Sequence, residues 1–151
     1  MSDSAAALGY GVTFAVNTVL APTVYTAVAE IAEVNFDGFS VPEIKTTHLA
    51  SPDAMEESIP GLIKPGTCVI TGNYTAATSQ EALSAFALAR TIFGFQIVAG
   101  VDQVAGATTK VYTLTGKGFV TKLVRGPFKA DAKIDFSATI QVTGAFTETI
   151  V

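Results

Sequence analysis

The residues of this chain that could carry out chemistry are few and scattered. The single histidine, His48, and the single cysteine, Cys68, could in principle pair as a general base and a thiolate nucleophile. Cys68 alternates with Ile70 in an apolar stretch, however, which is typical of a small core residue. Glu56 and Glu57 are adjacent and point in different directions, so they make a poor two-carboxylate site. We therefore predict no catalytic residues.

Sites for metals, nucleotides and nucleic acids are no better supported. The sequence has no cluster of cysteine and histidine that could hold zinc, and it contains neither GxxxxGK[ST] nor GxGxxG. The glycines of TGKGF lie inside a predicted strand with no helix after it. Tyr112, Phe119 and Lys122 could form a base-stacking platform, but aromatic and basic residues on one long strand are more often cross-strand surface pairs. We predict no metal and no cofactor.

Composition favours a protein that buries part of its surface against a partner. Of the 151 residues, 49% are apolar and only 15% are charged, whereas an average soluble chain has about 25% charged residues. The net charge of −4 argues against a domain that grips nucleic acid by neutralising phosphates. Residues 1–75 hold eight acids and two bases, and the rest holds five acids and seven bases. If the two halves present different faces, this asymmetry favours head-to-tail stacking.

The cellular compartment expected for this protein follows mainly from features that the sequence lacks. No apolar run approaches the roughly 18 residues that a membrane helix needs. The start, MSDSAAALGYG, has no basic region of the kind that begins a signal peptide. A single cysteine cannot form an internal disulfide. We therefore expect folding in the cytoplasm and no membrane partner.

Alternating apolar and polar residues predict that most of the chain is β-strand. The alternation is clearest over residues 10–17, 67–74, 92–97, 110–125 and 133–146. In residues 133–146 the polar face is unbroken. Gly116 and Gly118, within residues 110–125, are expected to bend or bulge that strand.

Two segments leave alternatives open. Residues 24–36 are rich in threonine, tyrosine and valine, which favours a bulged strand, although a spacing of three between apolar residues is compatible with a helix. Pro42 then marks a turn or sheet edge before a short strand around residues 44–49. Residues 50–66 combine three prolines and two glycines with apolar side chains and are predicted to be a long loop. Those apolar side chains either contact a partner or cap the core.

One short helix is predicted, over about residues 79–90. Thr78 and Glu81 have the i, i+3 spacing of a capping box. The side chains assigned to one face are Leu83, Phe86, Ala87 and Arg90. About seven or eight strands and one helix predict a mainly β protein, an antiparallel β-sandwich or open barrel, that forms one domain over residues 1–151.

The order of motifs along the chain resembles that of one known family. An opening from Gly9 to Phe14 is followed by YTAVAEIAEV, a proline-containing hairpin, the capped helix and a closing pair of strands ending near TGAFTE. The most specific matches are Ser51, Pro52, Glu57, Ile59, Pro60, Gly61, Leu62, Gly66, Gly72, Asn73 and Tyr74. This succession is similar to the tail tube (major tail) proteins of long-tailed bacteriophages with non-contractile tails. Lys45, Thr46 and Thr47 stand where many relatives carry Asp-Val-Thr, and Pro65 also departs from the pattern.

The resemblance implies a structural protein of the virion and not an enzyme. It implies six-membered rings that stack into a hollow tube, through which double-stranded DNA and a tape-measure protein pass, with tail terminator and tip proteins as further partners. Strand edges pair when a ring closes, and head-to-tail contacts build open filaments. The chain stops after its last strand, so no C-terminal immunoglobulin-like domain is expected. Residues 1–9 are expected to be a flexible N-terminal arm that orders on stacking.

Within that picture, two sets of residues are candidates for function. The loop over residues 50–66 is expected to reach a neighbouring ring, and its contact residues would be Met55, Glu57, Ile59, Leu62 and Lys64. The polar face of the last strand is expected to line the lumen, through Ser137, Thr139 and Gln141. The alternatives are a small β-sandwich adaptor or tail-completion module, or the tube subunit of a tailocin, a gene-transfer particle or a related secretion tube.

Overall fold

The computed structural model describes residues 12–17, 25–99 and 112–150. In chain order the strands are β1 Thr13–Asn17, β2 Thr26–Ala27, β3 Ile31–Phe36, β4 Phe39–Ser40, β5 Glu43–Lys45, β6 Ser58–Pro60, β7 Lys64–Pro65, β8 Thr67–Asn73, β9 Phe93–Ala99, β10 Tyr112–Arg125 and β11 Asp135–Ile150. A short 3-10 turn spans Pro52–Ala54, and the helix α1 spans Thr78–Ala89 between β8 and β9. The expectations for residues 1–9 lie outside the described residues.

Seven strands form one antiparallel sheet in the order β2-β1-β9-β10-β11-β8-β3. The long hairpin β10–β11 is its centre: β8 pairs with the first half of β11, and β9 pairs with the first half of β10. Strands β1 and β3 are far apart in this order and still contact each other. The sheet therefore curls into a half-barrel, and the prediction of a mainly β, antiparallel open-barrel fold with one helix is confirmed.

The predicted alternation explains the core. In β11, Phe136, Ala138, Ile140 and Val142 are buried, while the residues between them face away from the core. Buried side chains of β8 and β9 complete the same layer. Their members are Cys68, Ile70, Phe93, Phe95 and Ile97. The ring of Phe86 from α1 stacks on Phe93 with centroids 4.9 Å apart, which fixes the helix to the concave side of the sheet.

The segment with two interpretations is β-structure. Within residues 25–36 the backbone forms β2, a turn and β3, and the pairing of β3 with β8 shifts register between Ile31 and Glu33. The choice of β-structure over a helix is therefore correct, but the segment forms two strands at opposite edges of the sheet and not one bulged strand. The pairing of β10 with β11 also shifts, between Thr115 and Lys117 and again after Val120, so the bulge expected near the glycines is confirmed.

The capping box predicted at the start of α1 is wrong. The N-cap residue is Ala77, and no side chain makes a capping hydrogen bond. Glu81 instead accepts a 2.8 Å hydrogen bond from the Tyr74 hydroxyl and a 3.2 Å ion-pair contact from Arg125 Nη2. Charged and aromatic partners from other elements therefore outcompete the local backbone for this carboxylate.

A buried glutamine fixes the start of the helix in place of the predicted cap. Gln80 has no exposed surface, and its Nε2 donates 2.8 Å hydrogen bonds to the carbonyl oxygens of Ala29 and Asn73. Its Oε1 accepts a 3.0 Å hydrogen bond from the Thr75 N–H. The helix face that is buried contains Gln80, Leu83 and Phe86. Arg90, which was assigned to that face, is exposed at the left-handed C-cap.

Candidate self-assembly surface

A two-stranded ribbon, which we call the arm (residues 38–66), extends from the sheet between β3 and β8. Near the sheet β4 pairs with β7, and farther out β5 pairs with β6. The ribbon continues the path of β3 and β8, because the Asp37 N–H donates a 2.8 Å hydrogen bond to the Thr67 carbonyl oxygen. The segment predicted as a long loop, residues 50–66, thus contains the return strands β6 and β7. Two- and three-residue strands that contain proline have no periodicity for the sequence to reveal.

The base of the arm is fixed to β11. The N–H of Gly66 donates a 2.7 Å hydrogen bond to the carbonyl oxygen of Gly38, and the N–H of Val142 donates to the carbonyl oxygen of Gly66 at 3.3 Å. The Gln141 Nε2 also donates to the Gly66 carbonyl oxygen, at 3.3 Å. The ring of Phe39 packs against that of Phe146 in β11, with centroids 5.6 Å apart. The arm therefore leaves the sheet from a defined position.

The tip of the arm (residues 46–57) is organised by its own polar side chains. Ser51 Oγ donates a 2.6 Å hydrogen bond to Glu57 Oε2 and accepts one of 3.0 Å from the His48 N–H. His48 Nδ1 accepts from the Ala50 N–H at 3.2 Å, while its Nε2 lies 3.6 Å from the same carboxylate. The Glu57 N–H donates to Thr47 Oγ1 at 2.8 Å. Five residues thus hold the tip in one conformation without a hydrophobic core.

An ion cluster crosses the ribbon just below the tip. Lys45 Nζ lies 2.7 Å from Glu56 Oε2 and 3.1 Å from Glu43 Oε1. Hydrogen bonds to these carboxylates raise the pKa of Lys45. All three side chains are more than half exposed, so the cluster contributes little to folding stability. Its effect is to hold the strand β5 and the tip in register.

Most of the arm's large apolar side chains face solvent. Met55, Ile59 and Leu62 have exposed fractions of 68%, 51% and 87%. Of the thirteen exposed large apolar side chains in the described part of the chain, eight lie on the arm. The other five of these eight are Phe39, Val41, Ile44, Leu49 and Ile63. The arm does not cap the core, and an apolar concentration of this kind on a projecting element is typical of a contact surface.

The two charged candidates on the arm have different surroundings. Lys64 is exposed on β7, opposite Ser40, and is free to reach a partner. Glu57 is half-buried, and its carboxylate is used within the tip. Its contribution to any contact is therefore to order the tip.

The lumen candidates lie on the face of the sheet that points away from the core. Ser137 is opposite Thr71, and Thr139 is opposite Val69 on one side and Lys122 on the other. Both are half-buried. Gln141 lies on the same face, but its amide is bonded to carbonyl oxygens at the base of the arm. This face also carries the apolar Val69 and Phe119 and the charged Lys122.

The Gly72-Asn73-Tyr74 sequence at the end of β8 contacts the start of β3, the helix α1 and the residues before β11. A Cβ atom at Gly72 would collide with the carbonyl oxygen of Glu30, so the close approach of β3 requires glycine. Asn73 accepts a 2.8 Å hydrogen bond from Lys133 Nζ and, through its carbonyl, one from Gln80. The order of motifs pointed to these three residues. Their partners lie up to 60 positions away in the chain, so no local sequence pattern identifies the partners.

The structure does not bring the possible catalytic residues together. His48 is exposed at the tip of the arm, whereas Cys68 is buried in β8, where desolvation raises its thiol pKa to about 12. Glu56 turns to Lys45 and Glu57 to Ser51, as their opposite directions predicted. Within the described ranges no three histidine, cysteine or acidic side chains are grouped as a metal site needs.

The possible base-stacking platform is also divided. Tyr112 packs against the core, and its hydroxyl donates a 2.9 Å hydrogen bond to Glu148 Oε1. Phe119 and Lys122 lie on the opposite face, across from Gln141 and Thr139.

In the part of the chain that the structure describes, no helix is long and apolar enough to span a membrane.

Sequence comparison finds no relative, but structural comparison does. No protein-family model and no curated protein matches the chain. A chain from the tail of an empty gene transfer agent particle, solved with C6 symmetry, superposes with a TM-score of 0.70 at 14% identity. The alignment covers 95% of this chain and 99% of that chain. The chain has the tail tube protein fold.

Two other solved structures share the tail tube fold across different delivery systems. The SPP1 tail tube matches with a TM-score of 0.65 at 11% identity, over 97% of this chain and 80% of that one. A chain from the sheath/tube terminator of PVC, an extracellular contractile injection system, matches with a TM-score of 0.71 at 12% identity. That alignment covers 98% of this chain and 99% of the other. Because an extracellular contractile injection system shares this fold, the fold does not single out the non-contractile class.

Proposed function

We propose that this protein is the structural subunit of a tail tube, which assembles from stacked six-membered rings into a hollow conduit. The observation that carries the proposal is the match over nearly the whole chain to a protein from a tail solved with C6 symmetry. The conduit delivers double-stranded DNA and a tape-measure protein into the host, as in a non-contractile tail. Tail terminator and tip proteins bind its ends, and the subunit is made in the host cytoplasm before it enters the virion.

The arm supports assembly through contact between copies. Its apolar side chains, among them Ile59 and Leu62, remain exposed in the single subunit. Each exposed apolar side chain of this size contributes about 1.5–3 kcal/mol when it is fully buried. A ring stacked on the next can bury them, and the ordered tip and fixed base reduce the entropy lost on contact.

The polar face of the sheet supports a role as a conduit. Beside neutral Ser137 and Thr139, this face carries two described lysines, Lys117 and Lys122, so DNA would meet few cations and release few counterions on contact. The edge strands β2 and β3 are the ones that can pair with neighbours when a ring closes. The protein then acts by geometry, with no catalytic step.

Negative-stain electron microscopy of the purified protein at high concentration tests the proposal. Tubes with a regular axial repeat are expected, together with a sedimentation coefficient that rises with concentration. A protein that stays monomeric at every concentration contradicts the tube function.

A second candidate is an adaptor at the end of a tube, and the likeness to the terminator of a contractile system favours it. The same imaging separates the two candidates. Single rings that do not stack indicate the end-piece, and tubes indicate the repeating subunit. A tube that belongs to a tailocin, a gene-transfer particle or a secretion system would have the same appearance.

A further inference from the structure

The arm and one surface loop lie at opposite ends of β8. The arm ends at Gly66, immediately before β8, and the last residue of β8, Asn73, pairs with Asp135 at the start of β11. The loop over residues 126–134, which we call the distal loop, connects β10 to β11 at that far end. The seven residues of β8 separate the two by about 20 Å, at roughly 3.3 Å per residue. If copies stack along the direction of β8, the arm of one copy meets the distal loop of the next.

The tip of the arm presents negative charge and apolar surface. Residues 46–57 contain Asp53, Glu56 and Glu57 and no lysine or arginine. Glu56 and Glu57 have partners on the arm, as described above, but the Asp53 carboxylate has no ion pair among the described residues. Exposed Leu49 and Met55 lie on either side of it in sequence.

The distal loop presents the complementary features. Its two lysines and one aspartate give it a net positive charge. Lys133 is paired with Asp135 at 2.9 Å, whereas the Lys129 ammonium has no ion pair within the described ranges. Next to it, the ring of Phe128 is 73% exposed.

We propose that the tip of the arm docks on the distal loop of a second copy of this chain, with Asp53 against Lys129 and Met55 against Phe128. This assignment rests on the proposed function, because it names the partner surface of the same arm. The apolar contact supplies most of the affinity, and the charge pair sets orientation and register.

Other exposed cations fit less well. Lys122 extends from the polar face of the sheet between the arm base and the distal loop, and Lys117 lies opposite Thr143, level with the base of the arm. Arg90 caps the helix. Among the described residues, Lys129 combines three features: it has no ion pair, it adjoins the exposed ring of Phe128, and it lies at the end of β8 opposite the arm.

Charge exchange between the two positions tests the docking. Asp53 has a left-handed φ of 54°, which asparagine tolerates, so Asp53→Asn removes the charge with little backbone strain. We expect Asp53→Asn and Lys129→Asp each to raise the concentration needed for assembly, Lys129→Asp by about tenfold, a change of about 1.4 kcal/mol. Because lysine at this left-handed φ adds strain, Asp53→Lys with Lys129→Asp is compared with each single variant, and the combination should assemble at a lower concentration than either. Lys122→Asp, a control on the sheet face, should leave the concentration needed for assembly unchanged.

Cross-linking separates failure of this inference from failure of the tube function. Cys68 is buried, so Asp53→Cys with Lys129→Cys introduces the accessible thiols of the described chain. On oxidation of assembled protein we expect a ladder of disulfide-linked chains, and neither single variant should give more than a dimer. The docking would be overturned if the wild type forms tubes, the double-cysteine variant gives no ladder, and neither charge change alters assembly. The tube function would then still stand. A wild type that never assembles contradicts the tube function itself.

Discussion

The N–H of Gly66 donates a 2.7 Å hydrogen bond to the carbonyl oxygen of Gly38, and this bond closes the base of the arm. A Cβ atom at position 66 would collide with the same oxygen. Gly66→Ala must therefore push β4 and β7 apart. We expect it to lower the free energy of unfolding by about 2 kcal/mol, as overpacking does.

Chemical denaturation measures this effect of Gly66→Ala. Ser40→Ala, on the neighbouring exposed position of the ribbon, is the control and should change stability by less than about 0.5 kcal/mol. Equal stability of the glycine variant and the wild type would show that the two strands are not held as closely as described.

The polar tip gives a second prediction, on local order. Ser51→Ala removes the hydrogen bonds to Glu57 and from the His48 N–H. We expect faster amide hydrogen exchange at His48 and Ala50, with global stability lowered by less than about 1 kcal/mol because the tip is outside the core. Ser58→Ala, a matched change on exposed β6, should leave exchange at the tip unaltered. Slow exchange in the Ser51 variant would mean that the backbone alone orders the tip.

The buried thiol gives a prediction on pH. Burial raises the pKa of Cys68 from 9.0 to about 12. The folded protein therefore keeps the thiol proton at a pH where the unfolded chain has lost it, and this contribution to stability falls as pH rises from 9.0 towards 12. We expect the wild type to lose about 1 kcal/mol more than Cys68→Ala between pH 7 and pH 10.

Denaturation of the wild type and Cys68→Ala across this pH range checks the difference. The comparison with the alanine variant cancels the titration of lysines and tyrosines. Parallel pH profiles for the two proteins would contradict a buried, high-pKa thiol.

The polar sheet face gives a prediction on access in the assembled state. A cysteine introduced as Thr139→Cys should react with a small maleimide in tubes but not with a maleimide on a bulky polymer, if this face lines a narrow lumen. Leu88→Cys, on the exposed side of α1, should react with both reagents. Reaction of the Thr139 variant with the bulky reagent in intact tubes would place this face on the exterior.

The strands of the sheet were predictable because one face is buried. In β11 the alternation of Phe136, Ala138, Ile140 and Val142 is dictated by burial at every second position, and the sequence displays it directly. The arm has no such signal, because both of its faces are exposed and its strands are two or three residues long. Its prolines suggested a loop, although the ribbon needs only a few backbone pairs.

The start of α1 shows why the capping prediction failed. The spacing of Thr78 and Glu81 is a local signal, but Tyr74 and Arg125 compete for the carboxylate from outside the helix. Gln80 reaches a carbonyl 51 positions earlier in the chain. Side chains whose partners are this distant can be assigned only from the folded structure. For the same reason, the sequence could offer Met55, Ile59 and Leu62 as candidate contacts but could not offer a partner surface for them.

Assembly of a variant with Ile59→Asp and Leu62→Asp is the most direct test of the claim that the arm joins copies of the chain. Both side chains are exposed, so circular dichroism and thermal unfolding should match the wild type. Leu88→Asp is the matched control, since Leu88 is 84% exposed and lies on α1, outside the arm. We predict that electron microscopy will show tubes for the wild type and for Leu88→Asp and none for the arm variant. Normal tubes from the folded arm variant would contradict the account.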